Sequence, residues 1–426
     1  MFINVRDFGA IGTNATEPSG IQLSIGEKDT AAFKAAIEHI RSATPITESS
    51  LIDNSASGGA VESTGAHDSH KFSNTIYVPR GVYSIIEPLE LPENCTLVGE
   101  GFGPSGSTLH GSHSGNAIIV IKSANVRIEN IALIGEVSPW FGGPPETGIL
   151  IHRDPATGSK DKSLGTGVCS SIENILIYRV NVEGVYRKAG IFSLGAERMV
   201  LDNVLVRPGK LSGAKYAFVS SSSNDDLAVS GFLPANPQSN GYSILRNCWF
   251  AIGDPNDSSD TIGDGWVTPY LSASVFLIDT SAWGIHDCYF SGKCSSLIDV
   301  MYKTHMDDTG PLTIMNIAGE NKSGYNIMIR NVSGYVSTLH NLKIQGLSFA
   351  CKYEAIVTQN VKLNGAHITG IRPNEDLDPT SPTYEDNKGS DFKYGNFGSD
   401  VTNSFIMAPD ISKIRFLGTS SNNILL

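Results

Sequence analysis

From about residue 117 onward, apolar and polar positions follow a six-residue pattern: apolar, any, Asn or Asp, apolar, any, apolar. It reads Ile128-Glu129-Asn130-Ile131-Ala132-Leu133, Ile172-Glu173-Asn174-Ile175-Leu176-Ile177 and Leu201-Asp202-Asn203-Val204-Leu205-Val206. It returns as Leu245-Arg246-Asn247-Cys248-Trp249-Phe250, Ile285-His286-Asp287-Cys288-Tyr289-Phe290 and Leu339-His340-Asn341-Leu342-Lys343-Ile344. The Asn or Asp breaks strand alternation, as a residue that tolerates a left-handed corner does. Each copy therefore predicts a strand, a bend and a strand, with amide side chains stacked from copy to copy. The variable spacing between copies fits strands separated by inserted loops better than a helical repeat of fixed period.

The insertions at 135–148, 153–170, 221–240 and 251–272 are rich in Gly, Pro, Ser, Asn and Asp and lack periodicity. Loops of that kind beside a solenoid strand build clefts on a rigid scaffold. Helical spacing is confined to the N-terminal region, where Ala32, Phe33, Ala36, Ile37 and Ile40 predict a short amphipathic helix from Thr30 to Ile40 with Asp29 as its N-cap. Residues 41–74 read as a surface loop. The tail from 372 to 400 is acidic and rich in Pro and Gly, and Ser404–Met407 and Ile414–Leu417 read as capping or subunit-contact strands.

A second strand precedes many copies and ends in a polar residue after two or three apolar ones. The series runs Ile121 then Lys122, Ile151 then His152, Phe192 then Ser193, Val219 then Ser220, Ile278 then Asp279, Ile298 then Asp299, Met315 then Asn316, and Val357 then Thr358. Stacked rungs would place these polar residues in one outward column, about 4.8 Å apart. Asp279 and Asp299 share their local pattern at one-rung spacing, which suits the roughly 5–5.5 Å carboxylate pair of a retaining glycosidase. They are the expected catalytic pair; the plainer alternative is two edge-of-strand aspartates bonded to turn amides. His152, Ser220 and Asn316 are the expected substrate contacts in the column, although a serine there is also an ordinary solvent-facing strand residue.

Trp140, Trp249 and Trp266 are candidate sugar platforms, because flat rings stack on the C–H faces of pyranoses; the competing reading is loop packing. Tyr289, like Trp249, falls at an outward position of its motif. Asp264 belongs to the acidic loop Asp254–Gly265, which offers oxygen ligands to calcium but lacks EF-hand spacing. Beyond that option no cofactor or metal is expected, and no Cys/His cluster has zinc spacing.

Charged residues make up 17% of the chain while glycine numbers 44, a balance that suits a turn-rich β protein. The net charge of −12 argues against nucleic acid or an anionic membrane as partner, since both require clustered Lys and Arg. Six cysteines in 426 residues do not make a disulfide scaffold, so Cys248 and Cys288, at one inward motif position, are expected as buried free thiols. No apolar run is long enough to span a bilayer, and no signal peptide precedes the first motif.

That first motif is Asn4-Val5-Arg6-Asp7-Phe8-Gly9-Ala10-Ile11-Gly12. It is followed by Asp29-Thr30-Ala31-Ala32-Phe33-Lys34-Ala35-Ala36-Ile37, Ile76-Tyr77-Val78-Pro79-Arg80-Gly81-Val82-Tyr83 and Cys95-Thr96-Leu97-Val98-Gly99-Glu100-Gly101. In this order the segments resemble the N-terminal module of the pectate-lyase-like superfamily of right-handed parallel β-helices, which includes rhamnogalacturonase-like enzymes and phage tailspike depolymerases. The resemblance implies an all-β, single-stranded right-handed parallel β-helix with a short N-terminal capping α-helix. It also implies a division into an N-terminal capping module (1–116), a helix body with loop insertions (117–371) and a C-terminal tail (372–426).

The function so implied is cleavage of an extracellular polysaccharide, with glycoside hydrolysis by paired carboxylates as the leading reading. A polysaccharide lyase is the alternative that Lys122, Lys293, Lys303 and Arg330 keep open, and a fructan-type intramolecular transferase uses similar carboxylate chemistry. A non-catalytic glycan-binding or virion attachment β-helix stands as the reading from a different class. Solenoids of this look suggest a homotrimer, secreted or carried on a virion.

Overall fold

Each turn of the chain is built from three strand segments, and one rung shows the plan. Ala273–Ile278 lies in one sheet, Ser281–His286 and Tyr289–Gly292 lie in a second, and Ser296–Tyr302 returns to the first to begin the next rung. The computed structural model describes residues 2–13, 23–43, 74–103, 105–136, 143–152, 172–209, 214–221, 241–252, 272–292, 294–303, 311–321, 324–351, 353–373 and 393–426. Among these, all strand pairs named here are parallel, and the sheet containing Ala273–Ile278 stacks 11 strands. Parallel crossovers take the right hand. The protein is thus a single-stranded right-handed parallel β-helix.

Stacking in register fills the interior with continuous columns. Ile119, Ile149, Ile191, Phe218, Val275, Ile298, Ile327 and Ile356 are successive register partners and all are buried. Each such side chain stabilises the fold by about 1.5–3 kcal/mol relative to exposure. Cys95, Cys248, Cys288, Cys294 and Cys351 are buried free thiols.

Corners are made by single residues in the left-handed region. One corner carries Asn130, Arg179, Asn203, Asn247, Asp287 and Asn316, all with φ between 52° and 56°. A second corner carries Asn94, Asn125 and Asn174, and the Nδ2 groups of Asn125 and Asn174 each donate to the amide oxygen one rung below at 3.0 Å. The six-residue pattern therefore mixes two corners. Asn174 sits on Asn125, and Asn341 precedes a strand in which Gly346 (φ 72°) takes the place beside Asn316.

The capping helix runs from Leu23 to Ala43, starting a full two turns before the expected Thr30. Asp29 is not its N-cap. Its fully buried carboxylate instead accepts the backbone N–H groups of Ile11 (2.7 Å) and Ser84 (3.0 Å), tying the helix to the first rung. Burial raises the Asp29 pKa while these N–H donors hold it down. Ala32, Phe33, Ala36, Ile37 and Ile40 are buried against the end of the solenoid, as their spacing predicts.

At the other end, Phe405–Ile406 pairs with His367 and Ile368, and Ile414–Phe416 pairs with Gly395–Phe397. The segments expected as a cap or subunit contact are in fact further rungs, because their apolar residues continue the interior columns.

Two histidines near the N-terminal end give the fold an acid-sensitive element. His110 is buried with its Nε2 3.2 Å from a Glu136 carboxylate oxygen, and His113 accepts the Gly115 N–H at 3.0 Å. Burial lowers both imidazoles from 6.5 to about 4. The unfolded chain takes up these protons near pH 6.5 and the fold only near pH 4, so stability is full above 6.5 and declines as pH falls toward 4. Each histidine accounts for about 3 kcal/mol of that decline. Thermal melts from pH 7.5 to 4 should show it, and the double variant His110→Gln/His113→Gln should flatten the slope.

Candidate functional site

The expected polar column does not exist as one column. Ile121, Ile151, Ser193, Ser220, Leu277, Val300, Ile329 and Thr358 are register partners, and this series faces the core. Ser193, Ser220 and Thr358 are therefore inward and buried, which removes Ser220 from contact with an external substrate. His152 belongs to the adjacent outward series, beside Leu194, and is buried. That outer face is apolar where Leu150, Phe192, Val219 and Phe276 stack, and it forms a second hydrophobic cluster. A one-residue slip in the alignment exchanges inward and outward faces, and the pattern of apolar runs ending in a polar residue slipped in this way.

The same register separates the two aspartates. Asp299 sits opposite Phe276, three residues before Asp279, an offset of about 10 Å along the strand. They do not stack, so the expected close carboxylate pair is not formed. Asp279 is a corner residue (φ 48°), and its Oδ1 accepts the Lys303 N–H at 2.7 Å, the turn-amide role that was the plainer reading. Asp299 makes a bidentate pair with Arg330, from Nε at 3.1 Å and Nη2 at 2.8 Å. Their side chains are 3% and 13% exposed. Burial raises the Asp299 pKa and the guanidinium opposes that rise.

Of the cations that kept elimination open, Arg330 is thus engaged with Asp299, and Lys122 pairs with Glu90 at 2.8 Å. Trp140, Trp266, Asp264, Lys293 and the rest of the acidic loop lie outside the described residues. Among the described residues no group of three or more His, Cys, Asp or Glu side chains gathers to hold a metal.

What the structure does bring together is an open groove on the other sheet, immediately past the corner of Asn247, Asp287 and Asn316. Trp249, Tyr289, Ala318, Ser348 and Arg372 are successive register partners along its floor, and the groove holds about 930 Å³. Trp249 is 41% exposed and packs edge-to-face on Tyr289, with centroids 5.6 Å apart at 72°. Its Nε1 donates to Ser291 Oγ at 3.3 Å, which fixes the indole plane. Burial, with the Glu320 carboxylate adding to it, pushes the Tyr289 phenol up to about 12.

Trp249 and Asn316 were marked by sequence; Asn316 lines the groove while its Nδ2 caps Asp287 Oδ1 at 3.1 Å. Glu320 and Ser291 escaped notice. Their signal is register alone: Ser291 pairs with Glu320 two residues beyond the Tyr289–Ala318 pair.

A sequence model of the family described as rhamnogalacturonase A/epimerase, pectate lyase-like, matches residues 2–231, over half of the chain. No curated protein matches. Similar solved structures include the A-module of the mannuronan C-5 epimerase AlgE4 from Azotobacter vinelandii, 13% identical with a TM-score of 0.45, covering 100% of this chain and 97% of that one. DFA-IIIase from Arthrobacter chlorophenolicus A6 in complex with GF2 is 11% identical with a TM-score of 0.46, covering 97% and 88%. The surface protein and adhesin PfbA of Streptococcus pneumoniae is 11% identical with a TM-score of 0.47, covering 100% and 97%. At this distance nothing about those proteins' activities transfers.

The ion pair and the corner aspartate should respond differently to mutation. Asp299→Asn leaves a buried guanidinium without its counter-charge and should cost about 3–5 kcal/mol in urea unfolding, whereas replacing Asp299 and Arg330 together by Leu and Met should cost far less. Asp279→Asn keeps both the left-handed corner and an acceptor for the Lys303 N–H, and should stay within about 1 kcal/mol of wild type.

Proposed function

This chain belongs to the rhamnogalacturonase A/epimerase, pectate lyase-like family, and from that membership we propose a carbohydrate-active enzyme that holds an extended extracellular glycan in the groove of Trp249, Tyr289 and Asn316. The observation that carries the reading is the Trp249–Tyr289 ledge, partly exposed and with the Trp249 indole held by Ser291. Sugar C–H faces stack on such rings, and hydroxyls find the amides of Asn247, Asn316 and Gln345 along one wall. Trp249 to Arg372 spans four rung steps, about 19 Å, long enough for several sugars laid along the solenoid axis.

Hydrolysis is favoured over elimination. Elimination needs a base together with cations beside a uronate; Lys122 and Arg330 are committed to ion pairs away from the groove, and Arg372 stands four rung steps from Trp249, at the end opposite the aromatic ledge. The groove is lined by the Asp287 carboxylate at its aromatic end, with Glu320 on the neighbouring strand opposite Ser291.

Digestion of a polysaccharide panel with mass analysis of products tests this. Hydrolysis adds one water per cut, elimination adds none and creates an unsaturated uronate, and a binding module changes no mass at all. Trp249→Ala should weaken glycan binding about tenfold while the melting curve stays unchanged. A panel on which the wild-type protein neither binds nor cuts anything would sink the proposal.

A further inference from the structure

Resting on that reading of the groove, we infer that its ligand is a neutral polysaccharide, and that the groove turns away polymers that carry the same charge on every sugar. Among the described residues two charged side chains line the groove, of opposite sign and at opposite ends. Asp287 stands on the rung of Tyr289, two residues before it at the ledge. Arg372 lies three register steps beyond Tyr289, about 14 Å along the solenoid axis. A chain of identical sugars laid in the groove presents the same groups to both ends. If every sugar carries a carboxylate, one of them meets Asp287; if every sugar carries an ammonium, one of them meets Arg372. An uncharged chain meets neither repulsion.

Neither charge is neutralised by its surroundings. Asp287 is exposed, its Oδ1 accepts the Nδ2 of Asn316 at 3.1 Å, and among the described residues nothing donates to its Oδ2. Arg246, next to Asn247 in the chain, does not offset it: its Nη2 lies 2.9 Å from Asp202 Oδ2, and Asn247 donates Nδ2 to the Oδ1 of that same carboxylate at 2.9 Å. Glu320, opposite Ser291 on the neighbouring strand, adds a further negative charge on this side. Arg372 is likewise exposed and pairs with no carboxylate among the described residues. Two like charges about 5 Å apart near a protein surface lower an affinity by about tenfold to a hundredfold at low salt.

Hydrogen bonding points the same way. An ionised carboxylate only accepts, so Asp287 can take sugar O–H groups through charge-assisted bonds but has nothing to offer a uronate, which also only accepts. The amides of Asn247, Asn316 and Gln345 both donate and accept, as sugar hydroxyls do. Past Asn316 the corner positions are Gly346 (φ 72°) and then Gly370 (φ 68°), so the lip of side chains ends there. Asp287 thus reads the sugar that lies on the Trp249–Tyr289 ledge, where ring stacking places the hydroxyls at the edge of the pyranose.

The test is calorimetric titration of the whole chain with neutral polymers (β-glucan, galactan, inulin), anionic ones (polygalacturonate, alginate) and cationic chitosan. At low salt a neutral polymer should bind at least about tenfold more tightly than any charged one, and its Kd should move less than about twofold when salt is raised to screen surface charges. Asp287→Asn keeps the left-handed corner, so it should strengthen polyuronate binding about tenfold and weaken neutral binding about threefold. A merely structural role for Asp287 would move both affinities in the same direction. Wild-type binding of a charged polymer as tightly as the best neutral one, or a same-direction change in Asp287→Asn, would overturn the inference. If that charged polymer is lost in Trp249→Ala, the glycan groove itself survives the failure; if wild type binds no polymer, both fall.

Discussion

Every rung of this protein lies in register on the one before it, so no residue can change its face without moving a whole column. Parallel strands about 4.8 Å apart make the interior a set of side-chain stacks, and a polar residue that enters a stack is buried however it looks in sequence. Ser193, Ser220 and Thr358 are the examples: each follows an apolar run, and each is an interior residue among Ile151, Leu277 and Ile329. The corners obey the same constraint. A left-handed backbone costs an ordinary residue about 1–2 kcal/mol, yet Arg179, Arg198, Tyr242 and Ala282 adopt it because the rungs on either side already turn there. Asparagine does so at less cost and donates an amide hydrogen bond to the rung below.

The two ends of the solenoid show how local chemistry serves that stacking. At the N-terminal end a helix supplies the apolar cover, and the Asp29 carboxylate fastens it by taking two backbone N–H groups from different segments. A residue that sequence logic places at a helix terminus works instead as a clamp from inside the helix. Its buried acceptor role is specified by Ile11 and Ser84, which lie 18 and 55 residues away and leave no mark beside Asp29 itself.

The fold was legible because its signals are short-range: apolar alternation, an Asn that interrupts it, and helical spacing from Ala32 to Ile40. Outward positions were legible where a residue's face follows from its own motif, as for Trp249 and Tyr289, whereas Asn316 lines the groove as a corner residue of the other sheet and not as a member of the expected column. The site was not legible where the face depends on alignment between rungs. Asp279 and Asp299 share a local pattern, yet one ends its strand at a corner and the other lies inside its strand on an apolar face, bound to Arg330. Glu320 shows the converse, since nothing near it in sequence points to Tyr289, and only the pairing of Ser291 with Glu320 brings them together.

The position of the groove has a topological cause. From residue 137 onward, every stretch outside the described residues joins a strand of one large sheet to a strand of the other. The corner at Asn247, Asp287 and Asn316 is different: a single left-handed residue turns the chain within one sheet, with no room for an insertion. The strand after that corner therefore begins at the same register at each of these rungs, and among the described residues Trp249 is exposed and Tyr289 half-buried there. Trp249 and Tyr289 occupy that position at successive rungs, with small residues at the next two, Ala318 and Ser348. A ledge followed by a trough is the shape this produces, and the direction of the trough is set by the solenoid axis itself. A ligand laid in it runs along that axis, the orientation in which the proposed glycan would meet the Trp249–Tyr289 ledge and then the trough.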